Sequence, residues 1–390
     1  MSLFVAVIAV ILMTATLDDS YRRNPGTNAQ ELLRQTSLLG VLALGAAIVI
    51  ISGGIDLSSG SVVAFSSTIF ASIVIMLAPH NSRGDPLTRD LASWILLVAA
   101  IGTLVVSLLI GSFHAWLITV VKLPPFVATL ASLVGLRSFA RVLIASVNTG
   151  FSSQTDSGQI YIYDATFRQL GSVWWIPLII FVVLSLLTWL IISRTVTGRH
   201  LYAMGGNETA ARLSGIRTER LKWLAYAFSA LTAGIAGILY TSSIGSADPT
   251  TLGIGYELNA IAAAVVGGCS LQGGIGTVPG IALGALFLRV VIDSVAKTVK
   301  IKSDEFQGIV VGVLVVLAVT LNELRGQRAG RRHFFAGGLG IVTWLNLTLL
   351  SGVLATIIVS THKLTTGIVV SAIVGALLGT LAMWERSRRS

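Results

Sequence analysis

The chain has 390 residues, of which 54% are hydrophobic and 11% charged, with a mean hydropathy of +0.84. A soluble domain carries about 25% charged residues, so the solvent for most of this chain is lipid, which excludes a soluble enzyme, a DNA-binding domain and a disordered scaffold. The 27 Lys and Arg against 17 Asp and Glu leave a net charge of +10. Most of that excess sits in short stretches between apolar runs, which the positive-inside rule explains without any nucleic acid partner.

The first apolar run, Ser2 to Leu17, has signal-peptide length, but no Lys or Arg precedes it and no A-x-A site comes after it. It is read as a slightly short first span rather than a cleaved signal. Further runs centre on 33–53, 60–78, 92–121, 126–146, 173–193, 223–241, 256–272, 275–297, 306–322, 334–359 and 364–384. Each approaches the ~20 residues that cross a bilayer. The expectation is an all-α polytopic membrane protein of about twelve transmembrane helices. The weakest spans are the first, for its length, and 256–272, for its glycines.

Sidedness follows from Lys and Arg in the short loops. Residues 194–222 hold Arg194, Arg199, Arg212, Arg217, Arg220 and Lys222 against Glu208 and Glu219. Residues 324–333 hold Arg325, Arg328, Arg331 and Arg332 with no acid, and the tail ends with Arg386, Arg388 and Arg389. Residues 147–172 instead carry Asp156 and Asp164 with one Arg168, and 242–255 carry only Asp248. Counting spans puts the basic segments on one side and the acidic loops on the other, with both termini in the cytoplasm. Arg22 and Arg23 fall on the outer side, beside Asp18 and Asp19.

Several stretches depart from plain apolar helix. Residues 52–61, SGGIDLSSGS, interrupt an apolar run. Glycine pairs break a helix, and a break at membrane depth survives only against protein or a water-filled cavity. Asp56 is the only charge between Arg34 and His80, and a lone carboxylate in lipid costs at least about 2.5 kcal/mol. In one reading Gly53 and Gly54 end a helix and Asp56 caps the next through the N–H groups of Ser58 and Ser59. In the other, Asp56 faces a pathway and bonds solute hydroxyls. The cap is preferred, because Asp before small polar residues suits a helix start.

The basic segment has internal order. Asn207 suits an N-cap, Glu208 the first turn and Gly215 the C′ position, enclosing a helix of about two turns. Thr218 can cap the next helix. So short a helix needs a partner surface. That surface is either a groove on another protein or the membrane itself. Further on, a second break reads GGCSLQGG over 267–274 and shares the pattern GGxxLxxG with the first. With 40 glycines in the chain, coincidence explains this as well as an internal repeat does. Gly276, Gly280 and Gly284 form a GxxxGxxxG stripe, read as helix packing, with a subunit interface as the alternative.

The single Cys269 is read as inert packing. His is sparse, and no HExxH, CxxC or GxxxxGK[ST] motif occurs. No metal or cofactor is expected, and the chain cannot hydrolyse ATP by a P-loop of its own. Glu257, at the start of a span, is read as water-facing or helix N-terminal. Asp293 is expected to pair with Arg289 on the same helix face.

The stretches GGNETAARLSGI, YELNAIAAAVVGGCSLQGGIGTVPG, ISGGIDLSSGS and KLPPFVATL together resemble the membrane permease of ribose/xylose/galactose-type ABC sugar importers, over about residues 1–323. The resemblance implies a ten-helix permease core in a bacterial inner membrane, working as a homodimer with a cytoplasmic ATPase and a periplasmic sugar-binding protein. It makes the segment between the sixth and seventh spans the ATPase-coupling region, carried here by Gly206, Asn207, Ala210, Ala211, Ser214 and Gly215. Gly53, Gly54, Asp56, Ser58 and Glu257, at or near the broken segments, are the candidates for a translocation pathway. The same architecture with a branched-chain amino acid or nucleoside as cargo is an alternative. An ion-coupled secondary transporter using Asp56, Glu257 or Asp293 is another. The chain departs from the family pattern by beginning almost inside its first span and by adding an extension, 324–390, with two more spans.

Overall fold

The computed structural model describes residues 2–82, 84–151, 158–299, 337–358 and 363–387, with isolated positions between 308 and 320. Most of the expected span at 306–322, and all of the basic stretch 324–333, lie outside the described residues. Contacts divide the chain into two units, Met1–Glu323 and Leu324–Ser390.

The first unit runs through α1 (Ser2–Leu17), α2 (Asp19–Arg23), α3 (Pro25–Ile51), α4 (Ser59–Leu77), α5 (Ser93–Thr119) and α6 (Pro125–Phe151). It continues with β1 (Ile160–Tyr161), α7 (Ala165–Ser172), α8 (Trp175–Arg194), α9 (Val196–Gly206) and α10 (Glu208–Leu213). It then runs through α11 (Thr218–Ile244), β2 (Ser246–Ala247), α12 (Tyr256–Val266) and α13 (Val278–Val299). The two strands pair antiparallel, Ile160 opposite Ala247, and tie two loops together at one end of the bundle.

Among the described residues seven helices, α3, α4, α5, α6, α8, α11 and α13, are long and apolar enough to cross a membrane. The span expected at 256–272 is not one of them. Its helix, α12, has 11 residues, or ~16 Å, about half a hydrocarbon core. The glycines from Gly267 onward leave the helix instead of continuing it. The first span, α1, has 16 residues, ~24 Å.

Every residue of α3 from Thr36 to Ile51 is buried, as befits a helix with no polar stripe to offer water. It packs against α8, α11, α12 and α13. The other central helix, α11, packs against α3, α4, α5 and α7. Small residues set these approaches: Gly234 lies against Ser107, and a Cβ on Gly237 would meet the Val63 carbonyl oxygen at 2.8 Å. The peripheral helices expose rows of apolar side chains, such as Leu97, Val105 and Leu109 of α5 and Val183, Leu186 and Leu187 of α8. Such faces fit lipid and would be a liability in water.

The glycine stripe is used inside the chain. Gly280 and Gly284 lie against Gly267 and Ala263 at the end of α12, and Gly276 against Cys269 and Ile51. This is the helix-packing reading. The expected Arg289–Asp293 pair does not form. Asp293 instead accepts from Tyr21 Oη at 2.8 Å and pairs with Lys297 at 3.1 Å, while Arg289 donates to Gln35 Oε1 of α3 at 2.8 Å. An acid one turn N-terminal to a lysine is the favoured order on a helix, and it leaves Arg289 to reach across to its neighbour.

In the second unit the helices Gly337–Ile358 and Lys363–Ser387 lie against each other. A Cβ on Gly352 would meet the Gly367 carbonyl oxygen at 2.8 Å, and the reverse contact is also 2.8 Å. Trp344 Nε1 donates to the Gly375 carbonyl oxygen at 2.9 Å. The outward faces carry Leu349, Leu350, Leu364, Ile368 and Leu377.

Candidate functional site

The basic segment between α8 and α11 folds as two short helices where the residue pattern suggests one. Thr195 caps α9 by accepting from the Gly198 N–H at 3.2 Å. Asn207 caps α10 by accepting from the Ala210 N–H at 2.9 Å. At the far end Gly215, at φ +84°, donates to the Arg212 carbonyl at 3.0 Å and Ile216 donates to the Ala211 carbonyl at 3.1 Å. This pair of bonds is a Schellman stop, and it needs the positive φ that glycine supplies without strain.

Thr218 does not cap α11. It is the first helical residue, after an N-cap at Arg217 that makes no side-chain capping bond. The tight turn at Gly215 brings the Thr218 N–H onto the Ile216 carbonyl at 3.0 Å, and the Thr218 hydroxyl accepts from Arg212 at 3.3 Å.

Six residues of helix do not hold themselves together. Glu208 meets Lys222 at 2.7 Å and Arg212 at 3.1 Å, and Arg212 meets Glu219 at 3.3 Å. Burial raises the Glu208 carboxyl, and the Lys222 and Arg212 contacts outweigh it, leaving the group below the usual carboxylate range. Ala211 is buried beneath the helix, whereas Gly206, Asn207, Ala210, Ser214 and Gly215 are exposed. Leu213 is 84% exposed, the highest value among the large apolar side chains described. It is absent from the coupling residues named on sequence. The available signal is an apolar residue at the last helical position, between Arg212 and Ser214.

The end of α9 is wedged between the two breaks. After α3, Gly53 at φ +82° donates to the Ile50 carbonyl at 2.9 Å and Gly54 to the Val49 carbonyl at 2.9 Å. After α12, Gly268 at φ +96° donates to the Val265 carbonyl at 2.9 Å and Cys269 to the Ala264 carbonyl at 2.9 Å. The Gly274 N–H then donates to the Ile51 carbonyl at 2.9 Å, satisfying an acceptor that the end of α3 left open. Gly205 sits in backbone contact with Ile51 and Gly274, and a Cβ on Gly273 would meet the Gly205 carbonyl oxygen at 2.5 Å and Gly53 Cα at 2.9 Å. Tyr202 Oη adds a bond to the Gly276 carbonyl at 2.7 Å. The segment that carries α10 therefore touches both breaks directly.

Beyond the first break, Asp56 is 3% exposed. Its Oδ1 accepts from the Ser58 N–H at 2.8 Å and the Ser58 hydroxyl at 2.6 Å, and its Oδ2 accepts from the Ser229 hydroxyl of α11 at 2.7 Å. This corrects the expected cap, in which Ser58 and Ser59 both donate their N–H groups. Asp56 lies two residues before the N-cap position, held by Ser58, so it closes a short Asx-type turn. Its second oxygen is turned to another helix. Glu257 is buried in the first turn of α12, against Gly60 of α4. Of the pathway candidates, Asp56, Ser58 and Glu257 thus gather at the start of α4, while Gly53 and Gly54 form the turn leading to it. Ser229 and His114, both buried near this point, are not among the sequence candidates, because their positions depend on helices far away in the chain.

Residues 28–319 match the family model described as the permease component of a branched-chain amino acid transport system. The ribose import permease protein RbsC of Haemophilus influenzae is 33% identical over 327 residues, covering 83% of this chain and 93% of the relative. RbsC of Escherichia coli is 34% identical over 322 residues, covering 82% and 92%. The xylose transport system permease protein XylH of Escherichia coli is 32% identical over 382 residues, covering 83% and 91%. No solved structure matches. With a family model spanning most of its length and such relatives across most of it, this chain belongs to the family of branched-chain amino acid transport system permease components.

Proposed function

We propose that this chain is the transmembrane permease subunit of an ABC importer that moves a monosaccharide of the ribose or xylose kind into the cytoplasm. Residues 1–323 form the permease domain and 324–390 an extension with two further membrane helices. A separate cytoplasmic ATPase supplies the energy, a periplasmic binding protein delivers the sugar, and two copies of the chain form the conduit in a bacterial inner membrane. Both termini lie in the cytoplasm. Gly206, Asn207, Ala210, Ala211, Ser214 and Gly215 build the coupling element, and Gly53, Gly54, Asp56, Ser58 and Glu257 border the pathway.

The observation that carries the coupling role is α10 itself. It is capped at both ends, tied to α11 by ion pairs, and it presents Leu213 to solvent. An apolar knob on a rigid element within a basic segment is what a groove on a partner protein accepts. The sugar assignment draws support from relatives named for ribose and xylose. The family description favours a second reading, a branched-chain amino acid.

Cells producing this permease with its ATPase and binding protein should take up D-ribose or D-xylose, and uptake of leucine alone would select the second reading. Leu213→Asp should leave permease abundance unchanged and reduce co-purification of the ATPase about tenfold, the equivalent of ~1.4 kcal/mol. Undiminished co-purification would remove α10 from the docking role. A cysteine replacing Arg217 should resist impermeant thiol reagents in intact cells, whereas one replacing Thr250 should react. The opposite pattern would invert the proposed topology.

A further inference from the structure

The N-termini of α4 and α12 meet at Gly60 of α4, which lies directly against the Gly253 backbone and the Glu257 carboxylate. Each N-terminus carries unsatisfied N–H groups and a partial positive charge. A carboxylate stands at each, Asp56 before α4 and Glu257 in the first turn of α12. From α5, His114 is 1% exposed and its Nε2 lies 2.7 Å from the Ser132 hydroxyl of α6. The Ser61 hydroxyl reaches the Ser132 carbonyl at 3.2 Å. Arg137 holds the loop before α12, donating to the carbonyls of Pro249 and Leu252 at 3.1 and 2.9 Å. Asp56 lies within electrostatic reach of His114 and Glu257, and Arg137 within reach of Glu257.

Three buried polar atoms here have no hydrogen-bond partner among the described residues: Ser59 Oγ, His114 Nδ1 and Glu257 Oε2. Each orphaned group of this kind costs about 1–3 kcal/mol. Ser59 and Glu257 belong to the two helix starts, and His114 lies beside Ser132 of α6 and within electrostatic reach of Asp56. Leaving all three unpaired in this region is expensive for structure alone. The set has a chemical character. The carboxylate accepts, the imidazole nitrogen donates or accepts according to its tautomer, and the serine hydroxyl does both. A row of neighbouring hydroxyls matches it. An anionic solute would meet two carboxylates. The charges already present, two acids against Arg137 and two helix N-termini, suit a neutral ligand.

We propose that this junction is a hydroxyl-binding station of the translocation pathway, with His114 as the residue that engages the passing polyol. The proposal rests on the permease reading above and goes beyond it in naming where the sugar is held and by which side chains.

The test compares wild type, His114→Phe and His114→Asn for initial uptake of D-ribose and D-xylose in cells producing all three subunits. Permease abundance and ATPase co-purification are measured on the same membranes. The expected result is a fall of about tenfold in uptake for His114→Phe, the worth of one hydrogen bond near 1.4 kcal/mol. His114→Asn, which keeps an N–H donor, should recover part of it. Abundance and co-purification should stay unchanged for at least His114→Asn. Undiminished uptake by His114→Phe at normal abundance overturns the station while leaving the permease reading intact. So does a loss confined to abundance in both variants, with normal uptake per permease molecule. If wild type imports neither pentose, the sugar reading itself fails and the station falls with it.

Discussion

At Ser52–Gly54 and at Gly267–Cys269 the chain leaves a helix through the same two hydrogen bonds, with glycine at φ +82° and +96°. The two exits then diverge. After the first stop the chain restarts as α4 within a few residues, using a buried carboxylate that gathers Ser58 and Ser229. After the second it runs through a glycine-rich, uncharged stretch whose bonds are mostly backbone to backbone. One of them, Gly274 to Ile51, returns to the end of α3. Stopping a helix is a local matter of backbone conformation. Restarting one inside a membrane depends on what the rest of the fold brings near. The comparison also corrects the shared GGxxLxxG pattern, which aligns Gly53 with Gly267. The hydrogen bonds align Gly53 with Gly268, so the pattern is out of register by one residue and does not mark equivalent positions.

The severest way to disturb both breaks at once is Gly205→Val. The added side chain would enter the backbone of Ile51 and Gly274, where no flexible neighbour can retreat. A cost at or above the ~3 kcal/mol upper range for overpacking is expected. Loss of the monodisperse species in detergent would report it. A normal thermal midpoint would show that the three segments can separate.

Next in size are the Asp56 variants, which test the first restart alone. Asp56→Ala leaves the Ser58 N–H and the Ser229 hydroxyl without an acceptor, at about 2 kcal/mol or more. Asp56→Asn retains an oxygen for Ser58 and offers an amide to Ser229. Thermal stability should fall with Ala and stay within ~1 kcal/mol of wild type with Asn. Normal stability but abolished uptake in Asp56→Asn would mean that the charge itself serves transport.

Smaller and matched effects are expected at the stops. Gly53→Ala and Gly268→Ala each place a Cβ at positive φ without a clash, since the nearest atom lies 3.5 Å from the first and none lies within 4 Å of the second. Each should cost ~1–2 kcal/mol. A clear difference between them in thermal midpoint would break the equivalence of the two stops.

The smallest effect on the fold belongs to the third stop of this type, at Gly215, which lies in open space on the surface. Gly215→Val should shift the thermal midpoint little but weaken ATPase co-purification, because a β-branched residue resists positive φ. The Glu208 contacts should be indifferent to pH around neutrality. Their carboxyl is held below its usual range, so their contribution is present above the unfolded value and is lost only as pH falls through the lowered one.

Much of this is legible in the sequence because it is local. The cap at Asn207, the stop at Gly215 and the turn at Gly53 and Gly54 each depend on residues a few positions apart, and the long apolar runs announce their helices by composition. The departures have a common origin. Ser229 lies 173 residues from Asp56, and Tyr21 lies 272 residues from Asp293, so no local pattern could pair them. The short α12 passes for a span because its apolar residues run into glycines that hydropathy scores leniently. Leu213 escapes notice because exposure, not type, distinguishes it from any other leucine.

Cys269 lies fully buried, with its sulfur close to Gly276 at the second break. The chain's single thiol is therefore sealed from aqueous reagents, and the native protein is already a silent background for probe chemistry. Pairs of nitroxide or fluorescent reporters can be introduced at α10 and at the loop before α12 without first removing it. Replacing it would leave a gap beside Gly276 and loosen the very junction whose movement such distance measurements would track.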